Sequence, residues 1–156
     1  MEVGGVAISF RGVNVVTLDV KGRLAVPAVH RQKLADHCDG QVVVTLNRET
    51  SLLLYPLPEW EEVARRILRL PESEYASSLR AVMVANATDC RLDGHGRVLL
   101  PALHRELTSI TKTARVIGIG GRLEIWDEAT WDEKLRRSLD VVREEPPPSV
   151  GEILIN

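Results

Sequence analysis

The chain has 156 residues, 44% hydrophobic but only 4% aromatic, with a formal net charge of −2. That supports one compact unit, or two small halves sharing an aliphatic core, and excludes a global electrostatic pull toward nucleic acid. No apolar run is long enough to span a bilayer, and two isolated cysteines, Cys38 and Cys90, exclude a disulfide framework and point to a reducing cytosol.

Residues 1–9 lack the basic and apolar regions of a signal peptide and are expected to form an unstructured extension. A first unit is expected over residues 10–70. Val13 to Leu18 is β-branched and reads as a strand. Asp19-Val20-Lys21-Gly22 then suits a type I turn, because an Asp side chain can bond the backbone ahead and Gly takes positive φ without penalty. Arg23 leaves this turn on a returning strand, Leu24-Ala25-Val26, so a local hairpin is expected. Pro27 ends the pairing and suits the start of a helix. Val42 to Leu46 and Leu52 to Tyr55 read as strands. Trp60, Val63, Ala64, Ile67 and Leu68 share one face of a helix over 59–70. Tyr75, Leu79, Val82 and Met83 predict a connecting helix within 71–85.

The chain then repeats itself. Leu92 to Arg105 matches Leu18 to Arg31 at a constant offset of 74, with identical Leu, Asp, Gly, Arg, Pro, Ala, His and Arg. The second unit, 86–143, reuses each device: Asp93 and Gly96 for the turn, Arg97 after it, Pro101 at the helix start. Arg115 to Ile119 and Leu123 to Trp126 read as strands, with Gly118-Ile119-Gly120-Gly121 as a glycine-rich hairpin turn between them. Trp131, Leu135, Leu139 and Val142 lie on one helical face, with Asp127 as N-cap. The proline-rich tail, 144–156, cannot continue that helix and is expected to be disordered.

The repeated element ends in a basic tip, Lys21-Gly22-Arg23 in one half and His95-Gly96-Arg97 in the other. A turn requires the Asp and the Gly but not the Arg, so the Arg kept in both copies points to function. A two-stranded ribbon fits the major groove of DNA, and Arg can fork onto guanine or phosphate; a Gly beside it would let the backbone come close. Residues 11–34 hold five basic residues against Asp19 alone, which makes the first tip the more basic region.

Other constellations lead nowhere. His30 and His104 lack convergent metal ligands and read as satisfied or exposed helical residues. His37-Cys38 is an isolated pair. The glycines near residue 120 lack the Lys-Ser/Thr of a phosphate loop. No nucleophile–base spacing suggests an enzyme, and no cofactor or metal is expected.

Phe10-Arg11-Gly12, Leu18 to Pro27, Leu53 to Trp60 and Leu123 to Asp127 together resemble the MraZ family of bacterial transcriptional regulators, over about residues 10–143. The resemblance implies an α+β, β-rich fold: a pseudo-two-fold tandem repeat of AbrB-like swapped-hairpin β-barrel units with flanking helices. It implies a cytoplasmic, nucleoid-associated protein that assembles into ring-shaped homo-oligomers. Such a protein binds G-rich direct repeats in double-stranded DNA and represses its own division and cell-wall gene cluster. The family's DNA-contacting DxxGR motif falls on Asp19, Gly22 and Arg23 and on Asp93, Gly96 and Arg97. The competing reading is an antitoxin-like hairpin module that binds a protein partner. It would suit one hairpin and a long amphipathic tail rather than two hairpins and a short tail.

Overall fold

The computed structural model describes residues 7–154. Residues 1–6 of the leading extension, and residues 155–156 of the tail, lie outside the described residues. The first repeat runs β1 (Phe10–Thr17), β2 (Arg23–Ala25), α1 (Ala28–Cys38), β3 (Gln41–Leu46), β4 (Leu52–Pro56) and α2 (Leu57–Leu68). A short helix, α3 (Glu74–Leu79), leads into a π-helical turn, Arg80–Val84. The second repeat runs β5 (Thr88–Arg91), β6 (Arg97–Leu99), α4 (Ala102–Leu107), β7 (Thr113–Gly120), β8 (Arg122–Asp127) and α5 (Glu128–Val142). A last helix, α6 (Pro148–Leu154), follows.

The expected local hairpin is replaced by pairing across repeats. β1 does not return onto β2; it pairs antiparallel with β7, from Phe10 opposite Gly120 to Thr17 opposite Thr113. Reciprocally, β5 of the second repeat pairs with β3 of the first. The resulting six-stranded sheet has the order β1-β7-β8-β4-β3-β5, a palindrome of the two repeats about the β8–β4 junction. β2 and β6 form a separate two-stranded ribbon, with Arg23 opposite Leu99, Leu24 opposite Val98 and Ala25 opposite Arg97. The turns form as expected. The strand leaving each turn is only three residues long, and it finds its partner in the equivalent strand of the other half.

This exchange places one aliphatic core between the sheet and the ribbon. Leu24 and Val98 from the ribbon, Leu54 and Ile125 from the central strands, and Leu34 and Leu100 are all buried there. The opposite face of β3 and β4 holds a second cluster, in which Val43, Leu53 and Tyr55 pack against Trp60, Ile67 and Met83. With both faces covered, β3 and β4 are apolar at nearly every position. Tyr55 against Trp60 at 5.7 Å between ring centroids is matched by Trp126 against Trp131 at 5.6 Å.

The helices refine the sequence reading in three places. The stripe Leu135, Leu139 and Val142 does form one side of a helix, yet α5 buries no residue, so the period gives the helix but not its burial. The connecting helix changes to π geometry, with the Ala85 amide donating to the Arg80 carbonyl, and the buried Thr45 hydroxyl donates to the Met83 carbonyl at 2.6 Å. The tail, expected to lack order, contains α6. Its proline run keeps α5 from continuing, but Pro148 then occupies the first position of a new helix, where its fixed φ is favourable. No described helix is long and apolar enough to cross a membrane.

Because the sheet interlocks both repeats, chemical unfolding is expected to follow a single transition by circular dichroism and tryptophan fluorescence alike. Leu54→Ala, at a fully buried position, should lower stability by about 2–5 kcal/mol. Two separate transitions would show that the halves fold independently.

Candidate nucleic-acid interface

Each tip is built around one aspartate. Asp19 Oδ1 accepts the backbone N–H groups of Lys21 and Arg23, both at 2.9 Å. Its Oδ2 accepts Nε of Arg23 at 2.7 Å. The Gly22 amide closes the turn on the Asp19 carbonyl at 3.0 Å. The second copy repeats this bond for bond. Asp93 Oδ1 accepts His95 and Arg97 N–H at 2.8 and 2.9 Å, and Oδ2 accepts Arg97 Nε at 2.9 Å. The Gly96 amide donates to the Asp93 carbonyl at 2.9 Å. The Arg of DxxGR is therefore also a structural part of the turn, contrary to the expectation that the turn has no use for it.

Those hydrogen bonds stabilise the ionised carboxylates. The backbone N–H of Arg97, followed by those of His95 and the Arg97 side chain, holds Asp93 at about 2, below the usual 3.8; slight burial opposes them. Asp19 is shifted in the same direction, with the Arg23 N–H as the largest cause.

The ribbon brings the two tips together. Leu24 and Val98 point into the core, so the opposite face presents Arg23 and Ala25 beside Leu99 and Arg97. Nη1 of Arg97 lies 4.0 Å from Oδ2 of Asp19, linking one tip to the other. With each Nε turned inward to its own Asp, the terminal nitrogens of both guanidinium groups remain as donors on a half-exposed surface. Lys21 and His95 stand exposed at the tips. Pro27 and Pro101 occupy the N-cap positions of α1 and α4, and their carbonyls accept the first helical N–H bonds, from Arg31 and Arg105.

Gly22 and Gly96 differ from expectation. Both have positive φ, +84° and +73°, as the turn demands, but both are buried. The space that a side chain would take is filled by an arginine of the other repeat. A β-carbon on Gly22 would sit 2.7 Å from Cζ of Arg105, and one on Gly96 would collide with the side chain of Arg31. The glycines thus make room for the protein's own arginines. Arg31 and Arg105 were not singled out from the sequence, although they are the last of the eight identities in the repeat.

His30 and His104 are buried, not exposed, at 1% and 3% of their surface. Neither ring nitrogen of His30 has a hydrogen-bond partner among the described residues, and its ring packs edge-on against Phe10 at 5.5 Å. Burial, aided by Lys33, holds His30 below its ordinary 6.5, and burial does the same for His104. No group of three His, Cys, Asp or Glu placed to hold a metal occurs among the described residues.

The MraZ family, described as "MraZ protein, putative antitoxin-like", matches residues 9–80 and 83–146. A transcriptional regulator MraZ of Methylococcus capsulatus is 46% identical over 124 residues, covering 79% of this chain and 82% of the relative. That of Halorhodospira halophila is 43% identical, covering 80% and 84%. That of Nitrosococcus oceani is 40% identical, covering 87% and 93%.

Two pH effects follow. The stabilisation from Asp93 is present above its ordinary 3.8 and is lost as pH falls through about 2. The His95 and Arg97 amide resonances should therefore titrate well below pH 3.8. A depressed histidine disfavours its charged form. The stability associated with neutral His30 and His104 is thus complete above 6.5 and declines as pH drops below it. The melting temperature should fall between about pH 7 and 5, less so in His30→Phe; an unchanged melting temperature would contradict this.

Proposed function

This chain belongs to the MraZ family, and we propose that it is a sequence-specific, DNA-binding transcriptional regulator rather than an enzyme. The observation that carries this reading is the β2–β6 ribbon, which sets two aspartate-braced, partly exposed arginines, Arg23 and Arg97, on the one face turned away from the core. Such a ribbon matches the width of the major groove. The braced guanidinium groups can donate to guanine or phosphate, with Lys21 and His95 adding contacts at the tips. Asp19, Asp93, Pro27 and Pro101 shape the turns, and Gly22 and Gly96 permit them.

The finer architecture in this proposal is a tandem AbrB-like swapped-hairpin unit, supported by the reciprocal pairings of β1 with β7, β5 with β3 and β2 with β6. The partners are double-stranded promoter DNA with short G-rich direct repeats and further copies of the chain in a ring. One ribbon supplies few contacts; several on a ring, facing repeated sites, raise the effective concentration of each for the next. The protein then acts in the cytoplasm on the nucleoid, and occlusion of the promoter represses its own division and cell-wall gene cluster.

Footprinting on the DNA upstream of its gene tests the reading. Arg23→Ala and Arg97→Ala should keep fold and oligomeric state and each weaken binding by about 1–3 kcal/mol, the worth of one bidentate base contact. Arg23→Ala should cost more, because its tip is more basic. Affinity should fall with salt at a log–log slope of roughly −0.9 per phosphate neutralised. Unchanged binding in the double variant would overturn the assignment. The antitoxin-like wording of the family description favours protein capture as the second reading, under which DNA is not protected at any salt concentration.

A further inference from the structure

We propose that Arg31 and Arg105 are positioning residues that act crosswise, each holding the DNA-reading tip of the other repeat. The proposal rests on the DNA-binding reading above. Arg31 belongs to α1 of the first repeat, yet its side chain fills the space over Gly96 in the second; Arg105 belongs to α4 of the second repeat and fills the space over Gly22 in the first. The backbone runs the same way. The Val26 amide donates to the Gly96 carbonyl at 2.9 Å, and the Leu100 amide donates to the Gly22 carbonyl at 3.0 Å. Each turn is therefore closed by its own Asp and clamped from the opposite repeat at its glycine, one residue before the arginine that faces outward.

The two clamps are equivalent but not identical. Arg105 Nε donates to the Leu100 carbonyl at 3.0 Å, the same residue whose amide bonds Gly22. Arg31 Nε is buried without a hydrogen-bond partner among the described residues. The guanidinium of Arg105 and the outer end of the Arg31 side chain occupy the open side of a glycine, where a β-carbon would have to displace them. A planar group suits that slot, and an ammonium on a flexible stem does not. The clamp removes freedom from the turn and so holds the following Arg in one direction before DNA arrives, which lowers the entropy lost on binding.

The full-length chain labelled with nitrogen-15 tests this without DNA. Arg31→Met should shift the amides of His95, Gly96 and Arg97 and leave Lys21, Gly22 and Arg23 in place; Arg105→Met should do the reverse. Should Arg31→Met fail to fold, Arg31→Lys keeps the charge without the planar fork and should give the same crosswise pattern. Shifts confined to the substituted repeat, or spread equally over both turns, would overturn the proposal. On the upstream duplex, Arg31→Met should weaken binding in the wild-type background and have no further effect in Arg97→Ala. An undiminished loss in that background would show that Arg31 acts on its own account. If the wild-type chain itself binds no duplex, the DNA-binding reading fails, while crosswise amide shifts would still establish the clamp.

Discussion

Backbone pairing between the two repeats is the constraint from which the rest follows. A strand of three residues cannot stand alone, and an unpaired buried amide or carbonyl is costly. Beyond the bonds of Arg23 to its own turn, β2 finds its strand partner in β6, and β1 finds its partner in β7. The exchange ties the halves into one sheet, encloses one core beneath the ribbon, and sets equivalent residues of the two copies side by side. Neither repeat can present its tip without the other.

On that frame, the chemistry of the tips reduces to the placement of four arginines by two aspartates and two glycines. Asp19 and Asp93 collect N–H donors from the turn and hold their own Arg by Nε. Two guanidinium groups on one small ribbon would repel each other; the carboxylate of Asp19, between Arg23 and Arg97, offsets part of that repulsion. The glycines then admit Arg31 and Arg105 from behind. A chain with a net charge of −2 can in this way concentrate cationic donors on one face without a basic composition overall.

Much of this was legible in the residues. Outside the tail, most strands and helices lay near where β-branched runs, apolar periodicity and turn chemistry set them, and Asp127 caps α5 by accepting the Thr130 amide. Asp, Gly and Pro at fixed spacing encode a turn that the backbone forms locally. The exchange of strands was not legible in the residues themselves and came only through the family resemblance, because the residues after Gly22 are as compatible with a distant strand as with the one preceding the turn. Nor was the burial of His30, since a histidine in a helix carries no sign of which neighbours will cover it. The exposed face of α5 shows the same limit from the other side: periodicity gives a stripe, and only packing decides whether anything meets it.

The sequence by itself determined the duplication, the two DxxGR turns and the identity of the family, because these depend on residue types at short spacing. The tertiary structure alone decided that the turns lean on each other, that Arg23 and Arg97 share a face, and that Arg31 and Arg105 reach across to glycines of the other repeat. The physical reason is range. Turn formation is settled within four or five residues, whereas strand exchange and the filling of a glycine's empty side depend on which distant surfaces the core brings into contact.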